Sequence, residues 1–523
     1  MKVVLAEPLA APGLRLLQQQ PGWEVITSSP KEFMQHMPDA DALIVANAVR
    51  VNSAVLDSAP LLRIVGRAGV GVENLDTAAA TAAGVLVVNT PGGNAVSVAE
   101  HTLALMLSLA RFIPQADASM KAGRWEKRKF LGSELREKTL GVIGLGSIGR
   151  EVVKRAKAFE MRVIAADPYV SSATAADVGV ELVELNSLYA QADYITLHTA
   201  LTPESVRMLS NAAFARMKDG VRIVNCARGE LIDQQALKAA LESGKVVGAA
   251  LDVFEKEPPA EDETLVRMDR VISTPNIGGS TEEAQEILGV RIAEQVVEYL
   301  QNGIAVNAVN MPALTREQFR TLGPFGALAE RLGSFASHIV KGNPRTVRII
   351  YLGRLAEHNT QLVRNAAVAG VVNRSLALRA NVINAMQIAA DRGLVVVERH
   401  DRRAGHIDSV LLEIETDAGI TTLEGAVVLG KPRLLQVDGI HCEAPLEGHL
   451  TFLENSDVPG VIGYVGTVFG KNGINIATFS SGRRDPLAEA ISVIATDNPV
   501  PDETLQELLR NPSITVARSV RFV

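Results

Sequence analysis

At 523 residues the chain exceeds what one hydrophobic core holds, so three or four domains are expected. A hydrophobic share of 47% against 21% charged is that of an ordinary globular protein, and a formal charge of -7 argues against nucleic acid as the main partner. Two cysteines, Cys226 and Cys442, stand too far apart in sequence for a disulfide framework or a zinc spacing, which fits a reducing cytoplasm and no metal.

In chain order, Met1 to Ala6 is a short apolar run that meets Glu7 at once. It reads as a first strand and not as a signal peptide, and no later run is long enough for a membrane span. Further apolar runs at Ala42–Val45, Ile64–Gly66 and Val85–Val88 alternate with helical patterns, the mark of parallel strands covered on both faces. A helical stretch over Ala99–Ala110 leads to a second set of strand–helix repeats, beginning at Thr139–Ile143 and running to about residue 284. The next helix runs from Thr281 past Tyr299. Pro312 and the capping-box pattern Thr315-Arg316-Glu317-Gln318 then mark a boundary and a fresh helix start. From about residue 315 to 447 helical and strand patterns mix without a chemical motif. The last stretch reads strand, helix, strand, strand, helix, strand, the ferredoxin-like order, with its second strand placed at Ile474–Ile476.

Gly144-Leu145-Gly146-Ser147-Ile148-Gly149 follows a strand pattern and opens a helix pattern, and the next strand ends at Asp167. Strand, glycines, helix and acidic residue together predict a dinucleotide site, where a glycine pattern alone would often be only a tight turn. Asp167 accepts hydrogen bonds from ribose hydroxyls and repels a 2′-phosphate, so NAD is favoured over NADP. Two later segments, Asn225–Glu230 and Ala250–Pro258, also follow strand-like runs. A lone Arg or Glu in a loop is usually a solvated charge, but here both fall where ligands collect on a parallel sheet. They offer a guanidinium for an anion and a carboxylate to support a general acid/base.

With Arg67–Asp76, Asn89–Asn94 and Thr274–Thr281 added, these motifs resemble the D-isomer-specific 2-hydroxyacid dehydrogenases, in their long phosphoglycerate-oxidising form, over essentially the whole chain. The resemblance implies an α/β protein of two doubly wound parallel-sheet domains, followed by an α+β intervening domain and a ferredoxin-like ACT domain. Residues 1–98 with 285–314 would bind substrate, 99–284 NAD, 315–447 would be the intervening domain and 448–523 the regulatory one. It implies that Arg228 binds the substrate carboxylate, that Glu257 supports the acid/base residue, and that Arg67 and Asn94 line the cleft. Ser147, Ile148, Asp167, Thr199, Ala227 and Asp252 would contact NAD beside Gly144, Gly146 and Gly149. In the last domain Asp457, Gly460, Ile462 and Asn475 would form an effector site, for which serine is the expected ligand. A homotetramer is the expected assembly.

Three positions depart from the resemblance. Asn276 stands where the family carries its catalytic histidine, and an amide has no accessible proton equilibrium. Ala46-Asn47 stands where Arg-Ser is common and the Arg holds the substrate's phosphate end, and Lys127 replaces a common Arg. The expected activity is NAD-dependent oxidation of 3-phospho-D-glycerate in serine biosynthesis, slowed by Asn276. A dehydrogenase of another 2-hydroxy acid and a non-catalytic binding protein are the alternatives. For the missing base, Glu257 acting through a water and His198 are the substitutes within reach of the sequence.

Overall fold

The structure is a computed structural model that describes residues 1–522 apart from 262, 313, 374–379, 403–406 and 486–488. The early apolar runs form β1 (Lys2–Leu5), β2 (Glu24–Thr27), β3 (Ala42–Val45), β4 (Ile64–Arg67) and β5 (Leu86–Val88), a parallel sheet in the order β2-β1-β3-β4-β5. Every residue of β3 and β5 is buried, which is why these runs are uninterrupted and do not alternate with polar residues.

The Ala95–Arg111 helix leads out of this sheet into a second one. There β6 (Thr139–Ile143), β7 (Arg162–Ala166), β8 (Glu181–Leu182), β9 (Tyr194–Leu197), β10 (Val221–Asn225), β11 (Val246–Leu251) and β12 (Val271–Ser273) are all parallel. Their order is β12-β11-β10-β9-β6-β7-β8. The winding reverses between β6 and β9, and that switch point opens a crevice at the strands' carboxyl ends.

The Glu282–Asn302 helix then carries the chain back to the first sheet, where Ile292, Ala293 and Val296 are buried with Val3, Leu5 and Ile64. Burying Ile292 and Val296 contributes roughly 1.5–3 kcal/mol each. Glycines permit the approach. A Cβ on Gly66 would lie 2.9 Å from Ile292 Cγ1, and one on Gly13 would lie 2.3 Å from the Gly289 carbonyl oxygen. Beyond the helix, Asn310 accepts from Val87 N (2.9 Å) and donates to Val85 O (2.8 Å), tying the returning chain to β5.

The capping box at Thr315 forms as its sequence predicts: Thr315 Oγ1 accepts from Gln318 N (3.1 Å) and Gln318 Oε1 from Thr315 N (2.9 Å). It starts the Arg316–Ile339 helix, which crosses the Gln361–Asn373 helix at Gly333 and Gly370. A Cβ at either position would come within 2.3 Å of the other helix's backbone. The pair lies on a sheet of β13 (Pro344–Leu352), β14 (Val395–Asp401), β15 (Ser409–Thr416), β16 (Gly419–Val428), β17 (Lys431–Val437) and β18 (Ile440–Pro445). Among the described residues only the β13–β14 pair of this sheet is parallel.

The last unit has β19 (His449–Ser456), β20 (Ile476–Arg483), β21 (Glu489–Thr496) and β22 (Ile514–Arg521) in the antiparallel order β20-β21-β19-β22, with helices at Val461–Lys471 and Asp502–Leu508. That is the ferredoxin-like arrangement. Its second strand begins at Ile476 and not at Ile474, because Gly473, at φ 67°, is still closing the preceding helix through a bond to Gly470 O. Among the described residues no single helix is long and apolar enough to cross a membrane.

Candidate active site

The glycine turn between β6 and the Ser147–Ala158 helix meets three separate demands. Gly144 has φ 99°, and a Cβ there would lie 2.5 Å from His198 O; one on Gly149 would lie 2.1 Å from Gly144 O. Gly146 has nothing within 4 Å of such a Cβ, so the surface over it is open to a ligand. Gly146 is also the helix's N-cap and no side chain caps its N–H groups, which leaves donors for a pyrophosphate. Ser147 is exposed at the helix start, Ile148 half-buried, and Thr199 half-buried just beyond β9.

Asp167, just past β7, ties this turn together. Its Oδ2 accepts from Leu145 N (2.8 Å) and its Oδ1 from Tyr169 N (2.9 Å). An anchored carboxylate beside an open glycine turn and an uncapped helix is the donor and acceptor set that NAD needs, so the residues present fit the cofactor. The first sheet's Asn89–Asn94 loop faces this turn across the crevice: a Cβ on Gly92 would lie 3.5 Å from Ser147 Cβ.

A second turn, after β12, carries Asn276. Its backbone is left-handed, φ 53°, a conformation that asparagine and histidine tolerate better than most residues. Asn276 N donates to Asp252 O (2.8 Å), and its side-chain Nδ2 donates to Glu257 Oε2 (2.9 Å). The Glu257 carboxylate in turn accepts from Phe254 N (3.2 Å) through Oε1. Asn276 and Glu257 are both exposed at this site. The pairing expected from sequence is therefore made, with an amide where an imidazole was expected.

Asp252 holds this turn in place. Its Oδ1 accepts from Thr274 Oγ1 (2.6 Å) and Ile277 N (2.9 Å), and its Oδ2 from Gly278 N (2.8 Å). Burial raises its carboxyl, but His101, Thr274 and the two backbone N–H groups outweigh burial and hold it below the usual carboxylate range. His101 lies beside it, Nε2 at 3.3 Å from Oδ1, with its Cδ2 3.6 Å from where a Gly278 Cβ would sit. Cys226 completes the cluster as a thiol, since burial pushes its pKa up to about 12.

Arg228, beyond β10, comes from a loop braced by the buried Asn225, whose Nδ2 donates to Arg228 O (2.8 Å) while its Oδ1 accepts from Ala227 N (3.0 Å). Gly229 follows because a Cβ there would lie 1.9 Å from the Phe254 carbonyl carbon. The Arg228 guanidinium reaches across the cleft to Glu73 in the first unit, Nε to Oε1 at 2.6 Å. Arg67, at the end of β4, donates to Asn47 Oδ1 and to Ala68 O. Burial lowers its pKa, against the raising effect of Glu73 and Glu7. Asn94 stands at the other end of the cleft, its Nδ2 2.7 Å from where a Gly279 Cβ would sit. Arg67, Asn94, Arg228, Glu257 and Asn276 thus converge on one crevice.

Three features of this crevice are not evident from sequence. Glu73 and Arg228 are 155 residues apart, and no local pattern joins them. Glu7 accepts from the backbone N–H groups of Ala46, Ala48 and Val49, fixing the loop that departs from the family. An acidic residue two positions past the first strand was the available signal. His198, one of the substitutes considered for the missing base, bonds Thr196 Oγ1 through Nε2 (2.9 Å), and burial pushes its pKa down to about 3. It is a poor proton acceptor.

In the last unit the Val461–Lys471 helix starts at Gly460, φ 97°, without a side-chain cap. Asp457 pairs with Arg483 (2.8 Å), Asn475 donates to Asp497 (2.8 Å), and Ile462 is exposed.

A doubly wound NAD-type sheet facing a second parallel unit, with arginines in the cleft between them, defines a nicotinamide-dependent dehydrogenase. Residues 103–278 match the NAD-binding domain of the D-isomer specific 2-hydroxyacid dehydrogenases, 321–438 the D-3-phosphoglycerate dehydrogenase intervening domain and 449–512 the ACT domain. The chain is 42% identical to a D-3-phosphoglycerate dehydrogenase of Methanocaldococcus jannaschii, covering 98% of each chain. It is 41% identical to one of Archaeoglobus fulgidus, covering 100% of both. The apo structure of D-lactate dehydrogenase from Escherichia coli resembles it at a TM-score of 0.52 and 30% identity, over 59% of this chain and 100% of that one. The chain belongs to the D-isomer-specific 2-hydroxyacid dehydrogenase family, in its long form with intervening and ACT domains.

Proposed function

We propose that this chain oxidises 3-phospho-D-glycerate to 3-phosphohydroxypyruvate with NAD, the reaction that commits carbon to serine. The observation that carries the substrate is likeness over essentially the full length to relatives named for that activity. Arg228 binds the substrate carboxylate and polarises the 2-oxygen, while Arg67 and Asn94 line the cleft from the facing unit. Gly144, Gly146, Ser147, Ile148, Gly149, Asp167, Thr199, Ala227 and Asp252 hold NAD, which supplies the hydride acceptor.

The chain's own task is the hydroxyl proton. With Nδ2 committed to Glu257, Asn276 offers Oδ1 to the 2-hydroxyl and orients it, but does not take the proton. The exposed Glu257 carboxylate takes it through a water and passes it to solvent. Turnover is therefore slow beside that of a site with an imidazole at 276. The boundaries 1–98 with 285–314, 99–284, 315–447 and 448–523 divide the work between substrate, cofactor and regulation. Asp457, Gly460, Ile462 and Asn475 form an effector site for serine at a contact between copies in a cytoplasmic homotetramer.

One observation favours a second reading, a dehydrogenase for a non-phosphorylated 2-hydroxy acid. The loop at Ala46 presents no cation from that position, and Glu7 consumes its backbone donors. NADH formation measured with 3-phosphoglycerate and with a panel of simple 2-hydroxy acids decides. A higher kcat/KM on the phosphorylated acid is expected; a clear preference for an unphosphorylated one refutes the first reading.

A further inference from the structure

We infer that Glu73 is a built-in competitor for the substrate carboxylate: its own carboxylate occupies Arg228 in the substrate-free protein, and substrate enters by displacing it. The inference rests on the proposed role of Arg228 as the carboxylate-binding residue. Arg228 Nε lies 2.6 Å and Nη2 2.5 Å from the same Glu73 oxygen, so one face of the guanidinium fork is filled by the group it is proposed to bind. Glu73 belongs to the loop after β4 and Arg228 to the loop after β10, so the pair also latches the two units across their cleft.

The local sequence makes room for this contact. A Cβ on Gly71 would lie 2.2 Å from Glu73 Oε2 and 2.5 Å from Arg228 Nη2, in the space the pair fills. Its neighbours serve their own unit. Asn74 donates to Ala46 O and Val49 O, Leu75 is buried in the core beneath, and Asp76 caps the Thr77–Ala82 helix. In this run of four, Glu73 is the residue that crosses the cleft. It is also replaceable. The Glu73 side chain is 61% exposed and that of Arg228 37%, so water reaches the pair and its strength is that of a surface ion pair. A free anion can displace it, whereas a deeply buried bridge would hold.

The test compares the native chain with Glu73→Gln, which keeps size and hydrogen-bonding groups but drops the charge, and with Glu73→Asp, which is one methylene shorter. Two quantities are read: the dissociation constant of 3-phosphoglycerate from the protein–NADH complex, and hydrogen exchange of the 68–76 loop without substrate. Both variants are expected to bind the acid about threefold to tenfold more tightly, the scale of an exposed charge-assisted pair, with the gain appearing in KM and not in kcat. The loop should exchange faster in the variants than in the native chain. Unchanged affinity together with unchanged exchange overturns the inference. If no form binds 3-phosphoglycerate, the substrate reading fails, and loop exchange alone decides whether the latch exists.

Discussion

The crevice has two turns, one at each working end, and each is tied down by a single carboxylate. Asp167 fixes the glycine turn through Leu145 N and Tyr169 N, and Asp252 fixes the Asn276 turn through Thr274, Ile277 and Gly278. At the first turn, geometry and the proposed chemistry agree: open surface over Gly146, an uncapped helix and an anchored carboxylate at Asp167. At the second turn only geometry is complete. The left-handed backbone, the bond to Glu257 and the anchoring carboxylate are all present, while the side chain at 276 has no proton to exchange. Scaffold and chemistry are therefore separable here, because a hydrogen bond needs only a donor and an acceptor and acid/base catalysis needs a titrating group.

Glu257 carries the greatest consequence for activity. If its exposed carboxylate takes the proton, Glu257→Gln lowers the residual kcat by about 10²-fold or more, with NAD affinity unchanged in a fluorescence titration. Equal rates in both forms would remove Glu257 from the proton path. Next in size is the rigidity of the cofactor turn. Gly149→Ala places a methyl 2.1 Å from a carbonyl oxygen that has little freedom to move, so a loss of about 1–3 kcal/mol in thermal unfolding and weaker NAD binding are expected. Smaller, and confined to acid pH, is the contribution of Asp252. Its pKa is depressed on folding below the ordinary 3.8, so the stability it supplies is full above that value and fades as pH falls through the lower folded one. Asp252→Asn should flatten this acid limb in a stability-versus-pH series, and an unaltered limb would assign it to other groups.

Much of the cofactor side was readable in the sequence because its demands are local. Gly144, Gly146, Gly149 and the helix they open lie within a few residues, and Asp167 falls at the end of the very next strand. The order of the ferredoxin-like unit was readable for the same reason, since strand and helix periods alternate over short distances, but its second strand, expected at Ile474–Ile476, lies at Ile476–Arg483, past a left-handed Gly473. On the substrate side, Arg228, Glu257 and Asn276 were identified through the motifs that carry them, and the structure brings them to one crevice. Their supports were not legible. Glu73 meets Arg228 across 155 residues, Glu7 holds a loop some 40 residues on, and Asp252 braces the 274–278 turn from just beyond the neighbouring strand β11. Contacts of that range depend on which strands become neighbours, and a period or a turn signal carries nothing about that.

The turn that carries Asn276 keeps the backbone and the Glu257 contact of an acid/base site and lacks a titrating side chain. Asn276→His is the decisive substitution, because histidine also tolerates the left-handed backbone at φ 53° and Glu257 already accepts an N–H from the side chain at this position. Initial rates of NADH formation from saturating 3-phosphoglycerate and NAD should rise about 10²–10⁴-fold in kcat over the native chain. No rise in a variant that still binds both NAD and 3-phosphoglycerate would contradict the claim and place the defect elsewhere on the substrate side.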